Sequence, residues 1–420
     1  MKILLIDNFF YRRGGAEVVF LNTGELLTAK GHNVSYFSRK WDKNLATPYE
    51  KYFCEGLDLH SKGYRNKLKE LVNFFYNREA SKKLEKLIID EKPDIAHIHL
   101  FFGGISPSIF KILKKYNIPI VHTVHDYRMV CPAYTFKDGH NKICERCKGQ
   151  KFYQCFFHKC SKGNYLLSFI MTLEMYFRNL FLNPVKNIDS FMFVSKFAYD
   201  IHLKYNNFFS KRECTVMYNF QDESVIKEVD RNIKTFQGKY LFFGRLSYEK
   251  GIKTLIQAFA QRPNLSLNII GTGPLKEDFE NYCNENNIKN INFLGFKSGS
   301  ELFQLIKKSK FVCVPSEWYE NNPMTIIEAY TLRVPVIGSR IGGISEIIVT
   351  DQTGYLFEAG NIKSLLAVID KAESLDQKQY EEMKSKAEEF AEEHFNKEIY
   401  YKKLITLYNH TINSYKHKQL

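Results

Sequence analysis

Tyr240-Leu241-Phe242-Phe243-Gly244-Arg245-Leu246-Ser247-Tyr248-Glu249-Lys250-Gly251 decides the fold. Apolar residues form a strand, Gly244 ends it, and a polar loop follows. Ile252-Lys253-Thr254-Leu255-Ile256-Gln257-Ala258-Phe259 then continues with helical spacing. Strand, loop and helix in that order form the unit of an open parallel α/β sheet, which places its ligands in the loops beyond the carboxyl ends of the strands. Arg245 and Lys250 therefore fall in a ligand loop, where two fixed cations can neutralise a diphosphate leaving group without a metal. Taken singly, each is an ordinary surface charge.

The same alternation extends in both directions. Strand candidates at 2–6, 33–37, 95–98, 118–124, 191–194, 239–243, 265–270, 292–294, 311–314 and 335–338, many separated by helical patterns, predict doubly wound parallel sheets. The chain of 420 residues has room for two or three domains. The polar stretch 221–238 reads as a linker between residues 1–220 and 239–395.

Composition limits the class. Hydrophobic residues at 44% and charged ones at 25% are the proportions of a soluble globular protein. The apolar run at the start is too short for a signal peptide, and no run is long enough to span a bilayer, so a cytoplasmic location is expected. The net charge of +14 favours an acidic surface or ligand, but Lys and Arg are spread along the chain, which argues against nucleic acid. Segments 62–86 and 165–182 carry apolar residues at helical spacing, as interfacial helices and core-facing helices both do. The inner-membrane surface is accordingly a candidate partner.

The second informative stretch is Pro315-Ser316-Glu317-Trp318-Tyr319-Glu320-Asn321-Asn322-Pro323-Met324-Thr325-Ile326-Ile327-Glu328-Ala329. Asn322 reads as an N-cap and Pro323 as the first helical residue, with Met324 and Thr325 in the first turn. Free amides and the helix dipole at such an end attract phosphate. Glu320 lies just before that anion site and Glu328 about a turn and a half inside the helix. A diphosphate joining a sugar to a nucleoside fits this spacing, with one carboxylate for sugar hydroxyls and the other for ribose. The competing reading is an acidic loop before a capped helix.

Together these elements resemble the retaining nucleotide-sugar glycosyltransferases of family 4. The resemblance rests on Gly14-Gly15-Ala16-Glu17, His125-Asp126, Arg245 with Lys250, Gly271-Thr272-Gly273, the Glu320/Glu328 pair and Gly342-Gly343, in that order. It implies the GT-B architecture, two Rossmann-like domains facing across a cleft, with a final helix at 396–420 packing back on the first domain. It also implies that Glu320 and His125 hold the donor sugar, that Glu328 holds the ribose, and that Arg245 and Lys250 meet the diphosphate. The acceptor would be a hydroxyl of a growing glycan or lipid-linked glycan of a surface polysaccharide. Gly14 and Gly15 would contact the diphosphate and position the acceptor, with Arg12 and Arg13 adding charge. No Asp-x-Asp motif occurs, so no catalytic metal or other cofactor is expected.

Other residues leave more than one reading. Gly271 and Gly273 form a strand-to-helix turn that lacks the third glycine of a dinucleotide fingerprint, which disfavours hydride chemistry. Phe296 is either a neighbour of the nucleotide base or a core aromatic. His97 and His99 share a strand face and suit a metal or, more simply, the core. Asp7 and Asp126 are further possible bases. Cys131, Cys144, Cys147 and Cys155 have the spacing of a structural zinc site inside an insert at 131–160, the alternative being free thiols. Two other functions compete: a nucleotide-sugar 2-epimerase of the same architecture, and a basic zinc module that binds nucleic acid.

Overall fold

In the computed structural model the described residues are 1–56, 64–221 and 239–417, with side chains omitted at 64–67. The expected linker, 221–238, lies almost wholly outside them, as do the first residues of segment 62–86. The chain forms two compact units, Met1–Met217 with Tyr401–Leu420, and Tyr218–Tyr400.

The first unit is built on six strands: β1 (Lys2–Ile6), β2 (Asn33–Phe37), β3 (Ile95–Ile98), β4 (Ile120–Val124), β5 (Ser190–Phe193) and β6 (Glu213–Val216). They pair in parallel in the order β2-β1-β3-β4-β5-β6. The strand order reverses between β1 and β3, so the crevice of this sheet opens beyond Ile6 and Ile98. Strands β3, β4 and β5 are buried along their whole length, as parallel strands covered on both faces must be. The long final helix Lys397–His417 contributes Tyr408, whose hydroxyl lies 2.6 Å from His97 Nδ1, and Thr411, 2.7 Å from Ser190 Oγ.

The second unit repeats the plan with β7 (Lys239–Phe243), β8 (Ser266–Ile270), β9 (Ile291–Gly295), β10 (Phe311–Val314), β11 (Val336–Ser339) and β12 (Gly354–Phe357), in the order β12-β11-β10-β7-β8-β9. Its core joins Tyr240 and Phe242 of β7 to Leu255, Ile256 and Phe259 of the following helix and to Phe311, Ile337 and Tyr355 of neighbouring strands. The reversal falls between β7 and β10. Both informative stretches of sequence therefore leave the sheet at its switch point.

Two strands were not among the sequence candidates. β6 reads Glu-Cys-Thr-Val at a sheet edge and β12 begins with glycine, so neither shows the apolar run of a central strand.

Candidate active site

After β7 the chain turns through Gly244 and Arg245 into a single turn of 3₁₀ helix, Tyr248–Lys250, and enters the helix Ile252–Phe259 at Gly251. Gly251 has φ +67, and a Cβ there would collide with the Pro315 carbonyl, so the β7 and β10 loops meet only because this residue is glycine. The contact is sealed by the Glu317 amide donating to the Glu249 carbonyl (2.8 Å) and by Thr254 Oγ1 donating to Glu317 Oε1 (2.7 Å).

This seam brings together one residue from each of the two pairs read from the sequence. Lys250 Nζ lies 2.6 Å from Glu320 Oε1, and Ser316 Oγ donates to the same oxygen at 2.8 Å. The Lys250 ammonium also sits 5.5 Å from the centre of the Trp318 ring. Glu320 is buried, which alone would raise its pKa, but Lys250 and Ser316 outweigh that and hold it below the usual carboxylate value. Ser339 Oγ at the end of β11 donates to the Ser316 carbonyl (2.6 Å), and the Gly343 amide donates to the Glu320 carbonyl (2.7 Å). A Cβ on Gly342, at φ +55, would strike that carbonyl, which explains the Gly-Gly pair. Arg245 is exposed at the head of its loop, and no ion pair engages it among the described residues. Gly271 and Gly273 pack against the backbone of Gly244 and Leu246, and the Leu246 amide donates to the Thr272 carbonyl (2.9 Å), so this turn buttresses the Arg245 loop.

The helix beyond Glu320 runs Met324–Thr331 and departs from the expected cap. Pro323 is itself the cap residue, with φ −68 and an extended ψ of 121, and is not the first helical residue. Asn322 does not cap either: its Oδ1 accepts from the Asn219 amide (2.8 Å), while Asn219 Nδ2 donates to the Asn322 carbonyl (3.2 Å). A distant backbone donor has outcompeted the helix for that oxygen. The first-turn amides of Met324 and Thr325 accordingly have neither a helical acceptor nor a side-chain cap. Glu328 is half-buried on the same helix, and burial pushes its pKa up to about 8. Phe296, just past β9, is 70% exposed, which removes the core reading and leaves the ring free to stack.

In the first unit, the carboxyl ends of β1, β3 and β4 bring Asp7, His99 and His125 to one edge of the sheet. His99 Nδ1 lies 2.9 Å from His125 Nε2, with the rings stacked at 5.1 Å. Burial, reinforced by the neighbouring histidines, holds His97 and His125 down at about 3 and His99 well below its usual value, so all three are neutral. His97 is a core residue, bonded at Nε2 to Thr123 Oγ1 (2.6 Å) and at Nδ1 to Tyr408. Asp7 is buried, accepts from the Phe9 and Leu100 amides (2.8 and 3.1 Å), and is raised well above its usual pKa by burial and by Glu17. Asp126 turns instead to Arg128 (3.2 Å).

Gly14 precedes the helix Gly15–Ala29, and the carboxylate of the buried Glu17 lies 3.2 Å from where a Cβ on Gly14 would stand. Burial raises the Glu17 pKa.

In the cysteine insert, Cys131, Cys144, Cys147 and Cys155 are buried and Cys160, outside the expected quartet, is partly buried; all five are free thiols. Among the described residues no group of three or more His, Cys, Asp or Glu side chains is placed to hold a metal ion. Burial raises Cys131 to about 11 and Cys147 higher still.

Comparison with known proteins agrees with this geometry. Residues 13–225 match the Glycosyltransferase Family 4 model, and residues 226–390 match Glycosyl transferases group 1. An uncharacterised glycosyltransferase of Methanocaldococcus jannaschii is 31% identical over 369 residues, 87% of this chain and 86% of the relative. An uncharacterised 42.6 kDa protein in the cps region of Klebsiella pneumoniae is 26% identical over 83% of this chain and 87% of its own length. Among solved structures, Anabaena HepE in complex with UDP and glucose superposes with a TM-score of 0.63 at 16% identity, covering 97% of this chain and 99% of that one.

Proposed function

We propose, from the premise that this chain belongs to glycosyltransferase family 4 and has the GT-B fold, that it moves a hexosyl unit from a nucleoside diphosphate sugar to a hydroxyl of a growing surface glycan, with retention at the anomeric carbon. The observation that carries this reading is the Lys250–Glu320 pair at the β7/β10 switch point, between the free cation of Arg245 and the open helix end at Met324. UDP in the Anabaena relative and the cps region of the Klebsiella relative support the donor class and the polysaccharide setting.

In this mechanism the bond between the anomeric carbon and the β-phosphate oxygen breaks as the acceptor hydroxyl attacks from the same face. The charge growing on the β-phosphate is met by Arg245, Lys250 and the Met324 and Thr325 amides, with no catalytic metal needed. That phosphate takes the acceptor proton. Glu320, kept ionised by Lys250, accepts hydrogen bonds from hydroxyls of the sugar. Glu328 accepts from the ribose, and Phe296 offers a face to the base. His125, neutral and held by His99, is a further sugar contact. The acceptor is a glycan or a lipid-linked glycan.

Glu320→Gln tests the reading. Transfer from a UDP- or GDP-hexose should collapse while UDP or GDP affinity stays nearly intact. Near-wild-type kcat would show that Glu320 does not serve the sugar.

A further inference from the structure

The helix Tyr165–Phe177, with its continuing turn Arg178–Leu182, is inverted. The residues it buries include Ser168, Thr172, Glu174 and Arg178, spaced as one helical stripe with Met175. The opposite stripe, Leu166, Phe169, Leu173, Tyr176 and Leu180, is exposed. The inner side is specified by polar chemistry. Glu174 pairs with Arg178 at 3.2 Å, Arg178 Nη2 donates to the Arg128 carbonyl (2.9 Å), and Thr172 Oγ1 donates to the Ser168 carbonyl (2.8 Å). These anchors fix which side faces out, so the apolar stripe does not arise from a loosely docked helix.

The exposed surface continues beyond this helix. Phe156 meets both Tyr165 and Phe169 (5.6 and 5.7 Å), Tyr153 meets Phe157, and Phe75 meets Phe177 (5.5 Å). Leu166 and Phe181 are each 66% exposed, Leu180 75% and Phe157 62%. A run of large apolar side chains in water on this scale marks an interaction surface.

The charge around it selects the occupant. Across residues 146–186 the cations are Arg146, Lys148, Lys151, Lys159, Lys162, Arg178 and Lys186, and Glu174 is the sole acid. Glu174 and Arg178 are buried against each other, so every ionised side chain left at the surface of this segment is a cation. An apolar face whose own segment presents only cations at the surface, with Lys159 4.4 Å from the Tyr165 ring centre, complements a bilayer with acidic headgroups. A second copy of the chain would bring two like-charged rims together. Among the described residues no helix is long and apolar enough to cross a membrane, so the contact lies in the interface plane.

We propose that the face formed by helices Tyr153–Phe157 and Tyr165–Phe177 and the turn Arg178–Leu182 seats this protein on an anionic lipid bilayer, with Leu166, Phe169, Leu180 and Phe181 entering the headgroup–acyl boundary and Lys148, Lys151 and Lys162 meeting lipid phosphates. The proposal stands apart from the donor chemistry of the second unit.

The test is co-sedimentation with vesicles of equal parts phosphatidylglycerol and phosphatidylethanolamine, against vesicles of phosphatidylcholine alone. Wild type should bind the anionic vesicles and only weakly the neutral ones. Leu180→Ser and Phe181→Ser should each lower binding about tenfold. Lys151→Glu with Lys162→Glu should abolish the preference for phosphatidylglycerol. UDP affinity and thermal midpoint should stay unchanged in all of them, since these side chains project into solvent. Wild type remaining in the supernatant, or variants binding like wild type, overturns the proposal. So does light scattering that finds a wild-type dimer which Phe181→Ser converts to monomer, because the face would then belong to a second copy.

Discussion

Lys250 and Glu320 are seventy residues apart in the chain, yet the ammonium and the carboxylate lie 2.6 Å from each other where the second sheet reverses its strand order. The carboxylate is almost fully buried, whereas the lysine side chain keeps 26% of its surface. Glu320 therefore depends on Lys250 for its charge, and Lys250 keeps a face for an incoming anion.

Replacing Lys250 by Ala should separate the two roles. In wild type the depressed pKa of Glu320 supplies stability that is fully present above the unfolded value and lost as pH falls through the folded one. Without Lys250, burial raises Glu320, and stability should instead fall as pH rises past about 4.5. At neutral pH the loss should be about 3 kcal/mol, at the low end for breaking a buried pair because Lys250 is part exposed. Adding Glu320→Gln should restore much of it. Chemical denaturation across this pH range checks both; additive losses in the double variant would mean that the pair is not coupled.

Arg245→Ala should leave stability unchanged and lower kcat by about two orders of magnitude, the scale of losing one transition-state donor. It should also weaken nucleoside diphosphate binding more than nucleoside binding. Calorimetry showing equal losses for both ligands would place Arg245 away from the phosphates.

Glu328 gives a pH signature. It is neutral below about 8 in the free protein. Accepting ribose hydroxyls favours the ionised form, so binding lowers its pKa and expels a proton. Affinity for UDP or GDP should then rise with pH towards about 8 and level off above, by at most about tenfold per pH unit. The difference between wild type and Glu328→Gln cancels the titration of the phosphate itself. A flat difference would exclude Glu328 from the ribose.

His97, His99 and His125 stay uncharged at physiological pH, so none should appear in the pH profile of kcat/KM. An inflection near pH 6.5 that vanishes in His125→Asn would show that an imidazolium forms during turnover.

The meeting of these loops was legible because strand–loop–helix order fixes which loops leave the sheet at a switch point, and Arg245, Lys250, Glu320 and Glu328 all lie in or just beyond such loops. What escaped depends on partners distant in sequence. Asn219 captures the Asn322 side chain, and Glu317 bridges to Thr254. The helix Tyr165–Phe177 was open to two readings for a related reason. Hydrophobic spacing locates an apolar stripe but not the side it faces; here Glu174 and Arg178 lie on the buried side.

Thiol reactivity probes the cysteine insert. With burial and mutual pairing raising Cys131, Cys144, Cys147 and Cys160, alkylation near neutral pH should be slow in the native protein and fast once it unfolds. A chelator that speeds alkylation without unfolding the chain would instead reveal a bound metal.

Retention at the anomeric carbon can be read by time-resolved proton NMR of the anomeric signal during turnover of an α-linked UDP- or GDP-hexose. With retaining transfer at the Lys250–Glu320 site, the first-formed product should carry the α configuration, and Glu320→Gln should form it far more slowly. A β-configured first product, or turnover indifferent to Glu320, would contradict it.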